Sequence, residues 1–131
     1  MRIRGKERGF ELNVQSHGEI SELCRDKDFA NFGELFGGTQ TENLRMDMQI
    51  AVIMNRGFED HKAFDNPNYT PDYLTMDDMK FLTMPQIQEL ETALMMAVAA
   101  DQATEIEAEE PKPEKGTGKK SPEDASPEKL D

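Results

Sequence analysis

Tryptophan is absent from this chain, cysteine occurs once, and tyrosine and histidine occur twice each. A lone cysteine, Cys24, excludes an intramolecular disulfide and suits a reducing compartment. Long apolar runs are also missing. The longest, Ile50 to Met54 and Leu94 to Ala100, fall far below the roughly 20 residues a helix needs to cross a bilayer. The opening Met1-Arg2-Ile3-Arg4-Gly5-Lys6 has no apolar core of a secretory signal, so Asn68-Tyr69-Thr70 reads as a loop tripeptide and not as a glycan acceptor. Positive charge is scarce too: 15 Lys and Arg stand against 27 Asp and Glu in 131 residues, a net charge of −12. A polyanion is repelled by a phosphate backbone and by an anionic membrane, which argues against nucleic acid and membrane and leaves proteins as the expected partners.

Chemistry-bearing groups are few and scattered. His17 and His61 lie in separate segments, and no serine or cysteine is spaced with them as in a triad. His61 and Asp65 are four apart, but two ligands do not close a metal site, so no metal and no cofactor is expected. Arg25 is the one basic neighbour available to lower the Cys24 pKa, and Cys24 reads as a small buried apolar residue. Gly116-Thr117-Gly118-Lys119-Lys120-Ser121 is a decoy for a phosphate loop. It lacks the leading glycine, the hydroxyl residue directly after Gly-Lys, and a preceding strand. Glu59-Asp60 and Asp77-Asp78 lack the spaced oxygens of a calcium loop, and the latter pair suits the first turn of a helix. The chain is therefore expected to be a binding protein and not an enzyme.

The composition changes at residue 101. From Asp101 to Asp131 large aliphatics occur only at Ile106 and Leu130, among Glu, Lys, Pro, Ser, Gly and Ala. Such a segment cannot offset an ordering cost of about 1–2 kcal/mol per residue. The expected organisation is a folded unit over residues 1–100 and a disordered Glu/Lys/Pro-rich tail over 101–131.

Within the folded part the expected class is mainly α: an N-terminal β-hairpin followed by four to five helices. Phe10-Glu11-Leu12-Asn13-Val14 alternates apolar and polar residues as a half-buried strand does, with Arg2-Ile3-Arg4 as its partner across a charged turn at Lys6-Glu7-Arg8. The apolar face of that hairpin would be Ile3, Phe10, Leu12 and Val14. Ser16 with Glu19 has the spacing of a capping box, and Ile20, Leu23 and Cys24 then share a face. Phe29, Phe32 and Phe36 suit a short helix ended by Gly37-Gly38. Thr41 or Asn43 is placed to cap a long helix whose stripe Leu44, Met48, Ala51, Val52 and Asn55 is widened by Ile50, Ile53 and Met54, as in the centre of a bundle. Residues 66–72 form a proline-bearing loop. Thr75 precedes a short helix, and Thr83 opens another on which Ile87, Leu90, Leu94 and Val98 form a clear amphipathic stripe.

Methionine is abundant, at nine residues. Most fill the core on this reading, while some suit an adaptable groove, because unbranched thioethers re-pack around varied apolar partners. Met79, Phe81, Leu82 and Met84 crowd one helix junction and are the first candidates for partner binding, with Phe58 and Met46 beside them.

The order of these elements resembles that of the tail assembly chaperones of long-tailed phages and prophages, especially those of Gram-positive bacteria. The resemblance spans about residues 1–100. It lies in the opening Arg2-Ile3-Arg4-Gly5-Lys6-Glu7-Arg8-Gly9-Phe10-Glu11-Leu12 and in Glu19-Ile20-Ser21-Glu22-Leu23-Cys24. It continues through Ile50 to Asp60, Tyr69-Thr70-Pro71-Asp72, and the helix start Leu74-Thr75-Met76-Asp77-Asp78. The resemblance implies a factor of the bacterial host cytoplasm, made during infection and absent from the mature particle. It would bind and solubilise the tape measure protein and help recruit tail-tube protein, and many of the family are also made in a longer frameshifted form. Self-association through the hairpin edge is a further expectation. Two other classes share the small size and acidity: a structural or connector component of the phage tail, and an acidic DNA mimic. The second fits poorly with the mixed Arg, Lys and acidic residues.

Overall fold

The structure is a computed structural model that describes the backbone of residues 1–109 and the side-chain surroundings of residues 1–100. The chain divides after Asp101; of the second unit, Gln102–Asp131, only the helical run to Glu109 is described. The architecture is mainly helical with an N-terminal two-stranded antiparallel hairpin. In chain order the elements are β1 (Arg2–Ile3), β2 (Lys6–Glu7), α1 (Val14–Ser21), the 3-10 segments Arg25–Lys27 and Phe29–Phe36, α2 (Gln40–Asp65), α3 (Met76–Met79) and α4 (Met84–Glu109). Helix α4 thus continues past residue 101, and the expectation of a disordered tail falls otherwise on residues outside those described. Among the described residues no helix is long and apolar enough to cross a membrane.

The hairpin is tighter than the alternation suggests. Arg2 pairs with Glu7 and Ile3 with Lys6, so the turn is Arg4-Gly5 and not Lys6-Glu7-Arg8. Both turn residues have positive φ, 54° and 79°, as the two-residue turns that follow strand twist require. Residues 10–13 do not form the expected strand. Their neighbourhood spends its backbone groups on α2 instead: the Glu11 N–H donates to the Met54 carbonyl (3.1 Å), and the Gly9 carbonyl accepts from Asn55 Nδ2 (3.0 Å). Ile3 and Leu12 are buried and Phe10 half-buried, but Val14 opens α1 and is 92% exposed. Val14 therefore leaves the expected apolar face.

Helix α1 starts at Asn13, three residues before the expected cap. The Asn13 side chain accepts from the Ser16 N–H (3.0 Å), and Ser16 Oγ accepts from the Asn13 N–H (2.8 Å). Asn13 Nδ2 also reaches the Gly57 carbonyl at 3.0 Å, and a Cβ at Gly57 would crowd Asn13 and Ser16 at 3.1–3.2 Å. Thr39, with Glu42, caps α2, in place of Thr41 or Asn43. Thr75, with Asp78, caps α3, and the Thr83 N–H donates to Gln86 at the head of α4 (2.9 Å). These two caps fall where the sequence pattern puts them.

The core joins α1, α2, α3 and α4. Ile20, Cys24, Ile50, Ala51, Ile53, Met54, Leu74, Met79, Leu90 and Leu94 are buried in one cluster with Ile3 and Leu12. Cys24 is part of it, its thiol 3.4 Å from the Ile20 carbonyl and pushed up in pKa by burial, then by the charges of Asp28 and Glu34. The 66–75 segment returns along α2. There Glu59, 4% exposed, accepts from the Tyr69 hydroxyl and from the Asp72 N–H (3.0 Å), while buried Arg8 donates to the Asp72 carbonyl (2.6 Å). The surface pairs Lys6–Asp72 and Arg4–Asp78 are solvent-screened and add little.

Gly9 lies under the Phe58 ring. A Cβ there would stand 2.5–2.7 Å from three ring carbons. Gly9→Ala is expected to destabilise the fold by about 1–3 kcal/mol, the usual cost of overpacking. Chemical denaturation of Gly9→Ala alone and combined with Phe58→Leu checks it: the second change restores most of the loss if the ring is the obstacle.

Candidate functional site

Helices α2 and α4 enclose a largely apolar concavity. The first part is a groove of about 360 Å³ lined by Phe32 and Phe36, by Asn43, Asp47, Ile50 and Met54 of α2, and by Glu91, Leu94, Met95 and Val98 of α4. On each helix the lining residues recur every three or four positions, so each helix presents one face. A second hollow of about 450 Å³ shares Asn43, Asp47 and Glu91 and extends along Gln40, Leu44, Met84, Ile87 and Gln88. Together they make a cleft from Met84 to Val98, four helical turns or about 21 Å at the standard rise per residue. The register runs α2 and α4 in the same direction.

The aromatic wall has its own support. His17 stacks on Phe29 (4.3 Å between ring centroids), Phe29 on Phe32 (5.1 Å), and Phe32 meets Phe36 edge-on (5.5 Å). Asp28 caps this 3-10 segment by accepting from the Ala30 N–H, and Gly37 ends it. The expected Phe29/Phe32/Phe36 helix thus exists, in the tighter 3-10 form, and Phe32 and Phe36 are turned to the cleft.

Asp47 and Glu91 meet midway along the cleft. Asp47 is 6% exposed, whereas Glu91 sits on the exposed side of α4. Burial first, then a hydrogen bond to the Glu91 carboxyl and its charge, push the Asp47 pKa from 3.8 to about 7. No Lys, Arg or His lines either part of the cleft. At neutral pH Asp47 therefore keeps its proton for much of the time.

The residues expected to bind a partner are not brought together. Met84 lines the cleft and is 47% exposed. Met79 is a correction: at 1% exposure it belongs to the core, because the single turn of α3 points it inward. Phe81, 85% exposed, and Leu82, half-buried, border a different, polar hollow with Arg4, Asp77, Asp78, Lys80 and Gln86. Phe58 covers Gly9, and Met46 is half-buried against the core. Residues the sequence reading passed over are Met95, Phe32, Phe36, Asp47 and Glu91. A signal existed for the acids: Asp47 falls three after Leu44 and four before Ala51, and Glu91 four after Ile87 and three before Leu94. Each lies at helical spacing along the edge of an apolar stripe.

Elsewhere, His61 is held by Glu11 (2.8 Å) and Asp65 (3.2 Å), which raise its pKa, the Glu11 hydrogen bond contributing most. Among the described residues no three His, Cys, Asp or Glu side chains gather as a metal site. The chain matches no protein-family model, no curated protein and no solved structure.

Proposed function

We propose that the chain is a non-enzymatic tail assembly chaperone of the bacterial cytoplasm, which binds and solubilises a tape measure protein and helps bring tail-tube protein to it. The sequence resemblance supplies the identity of the client. The single observation that supports a binding role is the cleft between α2 and α4: four turns long, walled by Phe32, Phe36, Ile50, Met54, Leu94 and Val98, and rimmed by exposed Met84 and Met95. A cleft of that length suits an apolar helical face presented by a long helical client. Flexible thioethers at the rim tolerate varied sequences along such a client, and a net charge of −12 keeps the complex dispersed.

The test is co-expression with the tape measure protein of the same gene cluster. Soluble client is expected to rise with the parent chain and to fall back with Met84→Glu/Met95→Glu. Both substituted residues are substantially exposed, so the fold is retained while the rim becomes charged. A client equally insoluble with and without the parent chain removes the proposal. Purified particles, examined by mass spectrometry, are expected to lack the chain.

A further inference from the structure

We infer that the cleft selects an apolar helical segment carrying one basic side chain, whose cation seats between Asp47 and Glu91. This rests on the cleft being the client-binding surface, and it adds what the client must present there. The argument begins with what faces Asp47. Across from it on α4 is Glu91; beside it on α2 is Asn43; the 3-10 wall offers the rings of Phe32 and Phe36. Farther along, the polar neighbours are Gln40 and Gln88, both uncharged. Glu34, the one ionisable group of the 3-10 wall, is occupied by Arg25 at 2.8 Å. A carboxyl that is 6% exposed therefore has another carboxyl as its partner and no cation. Toward Phe32, Phe36 and Leu94 the surrounding surface is apolar, and toward Met84 the other polar groups are the uncharged Asn43, Gln40 and Gln88, so no cation offsets the acids.

Folding has already stripped most water from Asp47, so a partner's ammonium or guanidinium meets an acid whose desolvation is largely complete. Before binding, Asp47 limits its repulsion with Glu91 by keeping a proton. A cation replaces that proton, and the pair releases it to solvent. Binding of the basic segment is therefore tighter at alkaline pH and weaker where the pair is protonated. A wholly apolar segment carries no such dependence.

Two helical peptides provide the probe, each about four turns of Ala, Leu and Met with Gly-Ser ends. One has a single central lysine and the other norleucine at that position. Titration calorimetry against the full chain is expected to give the lysine peptide about tenfold tighter binding near pH 8, shrinking to about twofold or less near pH 5. Buffers of different ionisation enthalpy are expected to report proton release for the lysine peptide alone. In Asp47→Asn/Glu91→Gln the preference disappears while the norleucine peptide still binds, which also certifies the variant's fold. Equal affinities in the parent, or a lysine preference kept by the double variant, overturn the inference and leave the cleft as a plain apolar site. Failure of both peptides to bind removes the cleft reading itself. Sedimentation of the chain alone covers the other occupant: a dimer dispersed by Met95→Glu would assign the cleft to a second copy and overturn the inference.

Discussion

Replacing Asn55 with leucine is expected to cost about 3–5 kcal/mol, a large part of the 5–15 kcal/mol that stabilises a domain of this size. Asn55 is fully buried in the middle of α2, and its side chain is used at both ends. Its Nδ2 donates to the Gly9 carbonyl (3.0 Å), and its Oδ1 accepts from the Leu74 N–H (2.7 Å). One residue thus ties the segment after the hairpin and the segment before α3 to the central helix. Leucine has the same branched outline but is bulkier, so no cavity forms: the loss comes from two orphaned backbone groups, with overpacking at a fully buried site adding to it. Urea denaturation is the measurement: the midpoint falls sharply with the slope unchanged while folding stays two-state. Asn55→Asp separates the two ends. It keeps the acceptor for Leu74 but turns an oxygen toward the Gly9 carbonyl and buries a charge, so it is expected to be at least as damaging.

Asn55 also illustrates what was legible in the sequence. Its place on the α2 stripe follows from spacing, as do the stripe of α4, the proline-bearing loop and the Thr75 cap. These are local patterns, and local physics decides them. The strand expected at Phe10–Val14 fails because alternation reports which side is apolar and not where backbone groups bond. Asn55, the Met54 carbonyl and Gly57 lie more than forty residues away, and they take up Gly9, Glu11 and Asn13. The start of α1 fails for the same reason: Asn13-x-x-Ser16 and Ser16-x-x-Glu19 are both plausible boxes, and the tertiary bond from Asn13 to Gly57 favours the first. In the site, Met79 misled because a single-turn helix has no periodicity to show its inward face. The cleft itself depends on the register between α2 and α4, which no local pattern contains.

The Asp47–Glu91 pair carries a pH signature that is independent of any client. In the unfolded chain the Asp47 carboxyl titrates near 3.8, whereas in the fold it titrates near 7. Between those values the folded state holds a proton the unfolded state has lost, so stability falls as pH rises through that window and levels off above it. His61 acts in the same direction, because its raised pKa gives stability at low pH that is lost as pH climbs through the folded value. Its exposed setting keeps that contribution small. The depressed carboxyls of Glu7, Glu34, Asp60, Asp72 and Asp78 act oppositely, losing their stabilisation as pH falls through their low folded values. Asp47→Asn mimics the protonated acid with a group that does not titrate. It is expected to flatten the decline between about pH 4 and pH 7 and to be more stable than the parent near pH 8 by about 2 kcal/mol. Urea midpoints of the two proteins across that range decide the matter. Parallel curves would mean that Asp47 does not hold its proton into the neutral range, whereas curves that coincide in acid and separate in base are the expected result.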